Sequence, residues 1–388
     1  MWKPIRIKKK YKPRRIAEVV TKDGINVIGF LYGIPTPLEI PKEVIKEVIR
    51  RIKEGSPSNF VDWRPKDWSQ TYSDELNSAV KLFYKGKGYI LPDVLILDNI
   101  EHKLDLSQIS FKLEKKSFEL DNDVRALTEV PFKQLKEYLS KKDYSNDTHL
   151  KLIKIIEGED RVILQVQPVN YEHFMHTNLV LDAGGGKAQT LRDWIHPNGK
   201  LEELDKSRLA DHLGVNILLF TADGRLIMQK RSRKVAFRTN ELCPAASGAI
   251  DFGDVQDKIN LKNMHKLREA WEEIGICPSD IPIDQIFFLG ITRELILGGK
   301  PGMVFFGKTN LSEKQIEEKL KNAKDKWESD ELIFFNFGQI AHKDLDNVME
   351  KHKFLCKVDE YLDEYLDEFS IPLMTAVSLW VKWRIYDK

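Results

Sequence analysis

Cysteine is scarce: the 388 residues hold three, Cys243, Cys277 and Cys356. So few, so widely spaced, build neither a disulfide framework nor a zinc cage, and a reducing, cytoplasmic setting is the expectation. Excess charge is also missing. Sixty-one Lys and Arg against 60 Asp and Glu leave a formal net charge of +1. Chains whose main partner is bulk nucleic acid show a basic surplus, so that class is set aside. Long apolar runs are lacking as well. The stretch from Ile371 to Val381 is about half of the roughly 20 residues that a bilayer span needs, so no membrane partner is expected. Repeats and low-complexity tracts are absent apart from the basic start. Residues 1–16 hold eight Lys or Arg and no acid, and no apolar core follows, which argues against a secretory signal. A flexible basic arm is expected there, with nuclear import through Lys8-Lys9-Lys10-Tyr11-Lys12-Pro13-Arg14-Arg15 as the alternative. The lack of serine in the arm speaks against a transit peptide.

What is present is acid, concentrated in one place. The nonapeptide Arg268-Glu269-Ala270-Trp271-Glu272-Glu273-Ile274-Gly275-Ile276 predicts a helix. Residues three and four apart share a helix face, so Glu269, Glu272 and Glu273 point one way. Leu267, Ala270, Trp271 and Ile274 form an apolar face fit to pack on a sheet. Gly275 can take the left-handed conformation that closes a helix, and Pro278 bars its continuation. Like charges at this spacing cost roughly 0.2–0.5 kcal/mol per pair, which Arg268 offsets in part by pairing with Glu272. Such hard oxygen ligands suit Mg2+ or Mn2+, with substrate phosphates completing the shell. The alternative is a solvated acidic face, yet this pattern arises by chance in roughly one chain in ten thousand at average composition.

Those residues resemble the second half of the Nudix box, G-x5-E-x7-R-E-U-x-E-E-x-G-U, where U is bulky and apolar. Here Gly248 is followed by Asp254 where glutamate is usual, thirteen residues instead of seven separate Asp254 from Arg268, and Ala270 is small. The flanking segments resemble the family too. Val215–Phe220 reads as a buried strand, Ala222-Asp223-Gly224-Arg225 as a hairpin turn and Leu226–Arg231 as the returning strand. Phe287–Ile291, Met303–Phe306 and Leu332–Phe335 read as further strands. A narrower likeness, to the animal-type UDP-sugar pyrophosphatase branch, rests on several segments. They are Asn170-Tyr171-Glu172-His173-Phe174 with Thr177-Asn178, then Leu209–Val215, Arg231–Ala236, Leu289–Arg293 and Glu328-Ser329. That branch also has an enlarged loop inside its box and an N-terminal extension.

The resemblance implies an α/β fold, the Nudix α/β/α sandwich with a mixed sheet, preceded by an α+β extension. It implies Mg2+-dependent hydrolysis of UDP-glucose or UDP-galactose to UMP and a sugar 1-phosphate. Sister substrates are ADP-ribose, a dinucleoside polyphosphate, a coenzyme A derivative or an RNA cap, and a silent nucleotide-binding sensor is the non-enzymatic alternative. Glu272 and Glu273 are the expected direct metal ligands, with Glu269 a third or water-mediated one. By resemblance the Gly248 carbonyl joins them and Arg268 orients the acids. Glu328 is the candidate for a distant ligand or general base, ahead of Glu331 and Glu294; an ordinary loop acid is the alternative. Lys230, Arg231, Arg233 and Lys234 end the hairpin strand and can hold phosphates, unless they are a solvated strand end. Tyr171 and Asn178, in the approach segment 165–205, are further candidates for the nucleotide pocket.

Other motifs carry less. Asp182-Ala183-Gly184-Gly185-Gly186-Lys187-Ala188-Gln189-Thr190 departs from a phosphate-binding loop at both ends and reads as a flexible turn. His173 and His176 have no partners of zinc-site spacing. The repeat at 359–369 reads as an amphipathic helix with a solvated acidic face. Trp63, Trp68 and Tyr72 read as core aromatics, because aromatics at irregular spacing more often pack a core; stacking on a base is the alternative. The expected organisation is a basic arm at 1–16, an extension at 17–160 with helices at 41–53 and 131–141, a Nudix-like unit at 161–345, and closing helices at 346–388. The oligomeric state is not legible in the sequence.

Overall fold

Alternation builds the main sheet. In the strand Gly214–Phe220, Val215, Ile217 and Leu219 face one apolar layer while Leu218 and Phe220 face the other. A period of two demands this when both faces of a sheet are covered. The split recurs in Ile227 against Met228, and in Met303 and Phe305 against Val304 and Phe306. These positions belong to a computed structural model that describes residues 72–139, 146–183, 190–255 and 272–386, except 86, 234, 236, 237 and 239. The basic arm, the helix expected at 41–53, Trp63 and Trp68 lie outside the described residues.

The first strands are β1 (Ala79–Tyr84), β2 (Lys87–Asp98), β3 (Ile109–Leu113), β4 (Thr148–Glu157), β5 (Val162–Asn170) and β6 (Gly214–Phe220). They are followed by β7 (Arg225–Arg231), β8 (Leu242–Pro244), β9 (Ala246–Ala249), β10 (Ile286–Glu294), β11 (Lys300–Lys308) and β12 (Ser329–Asn336). The main sheet runs in the order β1-β2-β10-β11-β6-β7-β12, with β8 on β7 and β9 on β6. It is mixed: β11 and β6 are parallel and the other neighbours antiparallel. A smaller sheet has the order β3-β5-β4. The expected strands are all present. The turn between β6 and β7 is closed by Gly224, φ +83°, where a Cβ would meet the Gly338 carbonyl oxygen at 2.0 Å.

Among the described residues, the helices of five or more residues are α1 (Asn122–Leu139), α2 (Tyr171–His176), α3 (Leu191–Ile195), α4 (Glu313–Leu320), α5 (Val348–Tyr365) and α6 (Ile371–Tyr386). On one face of the main sheet α5 and α6 pack through Trp380, which lies 4.8 Å from the Phe220 ring, 5.2 Å from Phe337 and 5.1 Å from Phe354. The apolar run Ile371–Val381 is therefore an interior helix, and no helix among the described residues is long and apolar enough to cross a membrane. The acidic repeat continues α5, with Tyr361 and Leu362 buried. On the other face lie the three-stranded sheet, Ile274, Ile276 and Ile316 of α4. The fold is thus of the α/β class with a mixed sheet, and its second face is shared between helical residues and a small sheet.

Two sequence expectations shift. The helix expected from Pro131 begins nine residues earlier, because Val124, Thr128, Phe132, Leu135 and Leu139 make one buried stripe across the proline. The division expected at residue 160 falls in the turn of the β4–β5 hairpin, and β1 and β2, expected in the extension, are strands of the main sheet.

A buried guanidinium ties these parts together. Arg192 donates to both Asp182 oxygens at 2.6 and 2.7 Å, to Tyr72 Oη at 2.8 Å, and to the carbonyls of Leu295 and Ile296 at 2.9 and 2.6 Å. All five of its N–H groups are used. Asp182, the first residue of the glycine-rich decoy, is thus an internal anchor; 184–189 lie outside the described residues. His176 stacks on Phe132 at 3.5 Å and His173 lies edge-on to Phe118. Arg192→Met should lower unfolding free energy by about 3–5 kcal/mol, because it leaves Asp182 charged and buried without a counter-ion. Urea denaturation measures this; a loss below about 1 kcal/mol would contradict the anchoring role.

Candidate active site

Glu272 and Glu273 are the two acids of the motif that lie among the described residues. Residues 272–274 are helical, and Gly275 closes the turn at φ +75°. A Cβ there would lie 2.5 Å from the Lys319 carbonyl oxygen, so α4 is packed against a backbone that only glycine permits. Arg268 and Glu269 lie outside the described residues.

Glu273 faces the interior. Gln229 Nε2 donates to its Oε2 at 2.6 Å, and the Ser247 backbone N–H reaches the same oxygen at 3.3 Å. Gln229 is fully buried, and its own Oε1 has no hydrogen-bond partner. An orphaned acceptor beside a carboxylate costs about 1–3 kcal/mol, and a cation at that place satisfies both. Gly248, next to Ser247 on β9, lies opposite Val215. The donor set is all oxygen, which fits a hard divalent cation. Among the described residues no three His, Cys, Asp or Glu converge tightly enough to form a closed cage; the third expected carboxylate, Glu269, is not among them.

Glu328 arrives from far along the chain. Lys324 Nζ donates to Glu272 Oε1 at 2.9 Å and the Asp325 N–H to the Glu272 carbonyl at 2.7 Å, which docks the 324–328 turn on the acidic helix. The Glu328 carbonyl then accepts the Ser232 N–H at 2.8 Å, and Arg231 Nη2 lies 3.3 Å from Glu328 Oε2. Burial raises the Glu328 carboxyl above its ordinary range, Arg231 draws it back, and Asp325 and Glu272 push it up again. Glu331, by contrast, is an exposed strand position opposite Lys230. Asp254 lies in the turn Phe252–Asp254.

The partners of Glu328 and Glu273, Arg231 and Ser247, line a cleft of about 170 Å3 together with Gly248 beside Ser247. Arg231, Ser247 and Gly248 line it on the side of Glu273 and Glu328, and Tyr171, Phe174 and His212 form an aromatic wall. His212 stacks on Phe174 with centroids 4.7 Å apart. The remaining lining includes Asp93, Glu294, Lys300, Arg238 and Asn216. Of the substrate-binding candidates, Arg231 and Tyr171 are therefore at the cleft. Lys230 is not: it faces the C-terminal helices and pairs with Glu368 at 2.7 Å. Arg233 is exposed, with Nε bonded to Asn240 Oδ1 at 3.2 Å, and Lys234 lies outside the described residues. Asn178 is a structural amide, donating to Asp211 Oδ1 and the Leu297 carbonyl, each at 2.8 Å.

The sequence reading missed Gln229 and Asp93. Both carried a signal. Gln229 is a polar residue at an inward position of an apolar strand, and Asp93 is an acid inside the run Leu91–Leu97.

Comparison with known proteins agrees with the family likeness. No family model matches the chain. A curated human protein, uridine diphosphate glucose pyrophosphatase NUDT22, is 24% identical over 203 residues, 49% of this chain and 63% of that protein. The match thus spans less than two thirds of that relative. Among solved structures, a C. elegans Ap4A hydrolase binary complex is 18% identical, with TM-score 0.20 over 40% of this chain and 99% of its own. A Deinococcus radiodurans protein, DR0079, is also 18% identical, with TM-score 0.21 over 26% and 57%. At such scores neither superposition bears weight. The chain is Nudix-like in its acidic motif and strand pattern, with a curated relative of that kind.

Asp93 yields a test of this geometry. Burial, then the charge of Glu294, raises its carboxyl from the usual 3.8 to about 7. A carboxyl raised on folding contributes stability that is fully present below pH 4 and is lost as pH rises through about 7. Across that window the wild type should lose on the order of 2–4 kcal/mol relative to Asp93→Asn, read by urea denaturation at several pH values. Parallel pH profiles for the two proteins would refute the buried, charge-starved setting.

Proposed function

We propose that this chain hydrolyses the pyrophosphate bond of a nucleoside diphosphate sugar, UDP-glucose or UDP-galactose, giving UMP and a sugar 1-phosphate. The observation that carries this is that Arg231, Ser247 and Gly248 line one side of the cleft while Arg231 also meets Glu328 and the Ser247 N–H also meets Glu273. The activity for which the human relative is named supports the uridine sugar, and the acidic motif supports the pyrophosphate.

Glu272, Glu273 and the Gly248 carbonyl would hold Mg2+ or Mn2+, with Glu269 as a third carboxylate and Arg268 orienting the group. When bound, the ion supplies charge to the phosphoryl oxygens and acidity to a coordinated water. Arg231 contacts a phosphate oxygen from the cleft wall, where a guanidinium can give two parallel hydrogen bonds. Glu328, on the other side of that guanidinium, accepts the proton of the attacking water. Burial raises its carboxyl, the direction that makes a carboxylate a stronger base. Gln229 positions Glu273 through the 2.6 Å bond. Tyr171, Phe174 and His212 offer flat surfaces for a base or a sugar ring.

Glu273→Gln should cut turnover at least about 100-fold while the melting temperature changes little, because the amide keeps the shape and loses the charge. Chelation should abolish wild-type turnover, and Mg2+ or Mn2+ should restore it. The assay is phosphate released by alkaline phosphatase from the products of UDP-glucose, UDP-galactose, ADP-ribose and a dinucleoside polyphosphate. Turnover of ADP-ribose without UDP-glucose would end the uridine-sugar reading. Nucleotide binding without any turnover, before and after the substitution, would make the chain a sensor.

A further inference from the structure

The cleft has a second charged patch that the phosphate chemistry does not use. Asp93, Glu294 and Lys300 are register partners across β2, β10 and β11, so their side chains rise in a row from one face of the sheet. All three line the cleft. Two acids side by side on neighbouring strands repel each other. Arg238 donates through Nη2 to Glu294 Oε1 and offsets part of that repulsion. Asp93 is less well served. Thr375 Oγ1, from α6, donates to its Oδ2 at 2.9 Å and the Thr292 hydroxyl also bears on the carboxyl, yet Oδ1 is left without a hydrogen bond of normal geometry, although Asp93 is only 3% exposed. Lys300 completes the row, with its ammonium over Gly214, where a Cβ would lie 2.7 Å from Nζ.

We propose that the Asp93–Glu294–Lys300 row is a subsite that reads the hydroxyl groups of a sugar. A phosphate placed there meets two carboxylates, and a metal ion meets Lys300 and Arg238, so either charge is opposed. A neutral polyol meets both kinds of partner. One hydroxyl donates to Asp93 Oδ1, and its own or a neighbouring oxygen accepts from Lys300 Nζ. The binding of such a ligand gives the buried acceptor the donor it lacks, and an analogue without that hydroxyl leaves it orphaned, which is the strongest form of selectivity by hydrogen bonding. This assignment rests on the nucleotide-sugar reading for the location of the phosphates, and it deepens that reading by naming the residues that select the sugar.

The vicinal hydroxyls could come from the hexose or from the ribose, and one experiment separates them. The full-length protein, Asp93→Asn and Glu294→Gln are titrated calorimetrically with glucose 1-phosphate, UMP, 2′,3′-dideoxy-UMP and methyl α-glucoside. Melting curves at pH 6 check that each variant is folded. Weakening of glucose 1-phosphate by about tenfold or more, with UMP unchanged, places the hexose in the row. The same loss for UMP, absent for its dideoxy analogue, places the ribose there. The proposal is overturned if folded variants bind every probe as the wild type does, or if the wild type binds none. Failure of the hydrolase reading looks different: sugar binding that depends on Asp93, with no turnover of any nucleotide sugar, leaves the subsite standing and removes the activity.

Discussion

A carboxylate taken out of water must find a positive charge or a hydrogen-bond donor, and this requirement organises the molecule around its cleft. Each buried acid has been placed against such a partner by a different part of the chain. Asp182 holds Arg192, Glu273 takes the Gln229 amide, Glu272 takes Lys324, Glu328 faces Arg231 and Glu294 takes Arg238. All but Arg192 come from segments far along the chain, so satisfying the charges also fixes the topology. Pairs of this kind add little net stability, because desolvation offsets the attraction. Their effect is to hold named oxygens at named places.

The place is set by the sheet. β6 and β11 form its parallel centre, and the strands on either side carry the two halves of the cleft. β7 and β9 bring Arg231, Ser247 and Gly248 to one half; β2 and β10 bring Asp93 and Glu294 to the other. Behind the sheet, α5 and α6 supply an apolar floor through Trp380, while Thr375 of α6 reaches Asp93. The division expected at residue 160 has no place in this arrangement, since β2 forms part of the cleft and β4 is hydrogen-bonded along its length to β5.

Local physics was legible in the sequence wherever it is decided locally. Val215–Phe220 and its return strand could be read from period-two burial, the turn from Asp223-Gly224, and the end of the acidic helix from Gly275. Glu328 could be named only through family likeness, because its approach to Glu272 depends on a turn that docks by Lys324 and Asp325. The basic strand end was read as one cluster, yet neighbours on a strand point to opposite faces, and this sends Arg231 to the cleft and Lys230 to Glu368. The Asp93–Glu294–Lys300 row was invisible, since strand register joins residues that lie far apart in the chain and no composition rule reports register. Asn178 misled for the opposite reason: its amide looks like a ligand-binding group, but its bonds are all internal.

The most direct measurement is anomalous X-ray diffraction from crystals of the full-length protein soaked with Mn2+ and UMP. A manganese peak within coordinating distance of Glu272, Glu273 and the Gly248 carbonyl, with the UMP phosphate beside Arg231, is the expected result. A well-ordered nucleotide in the cleft with no manganese at those carboxylates would contradict the proposed hydrolase.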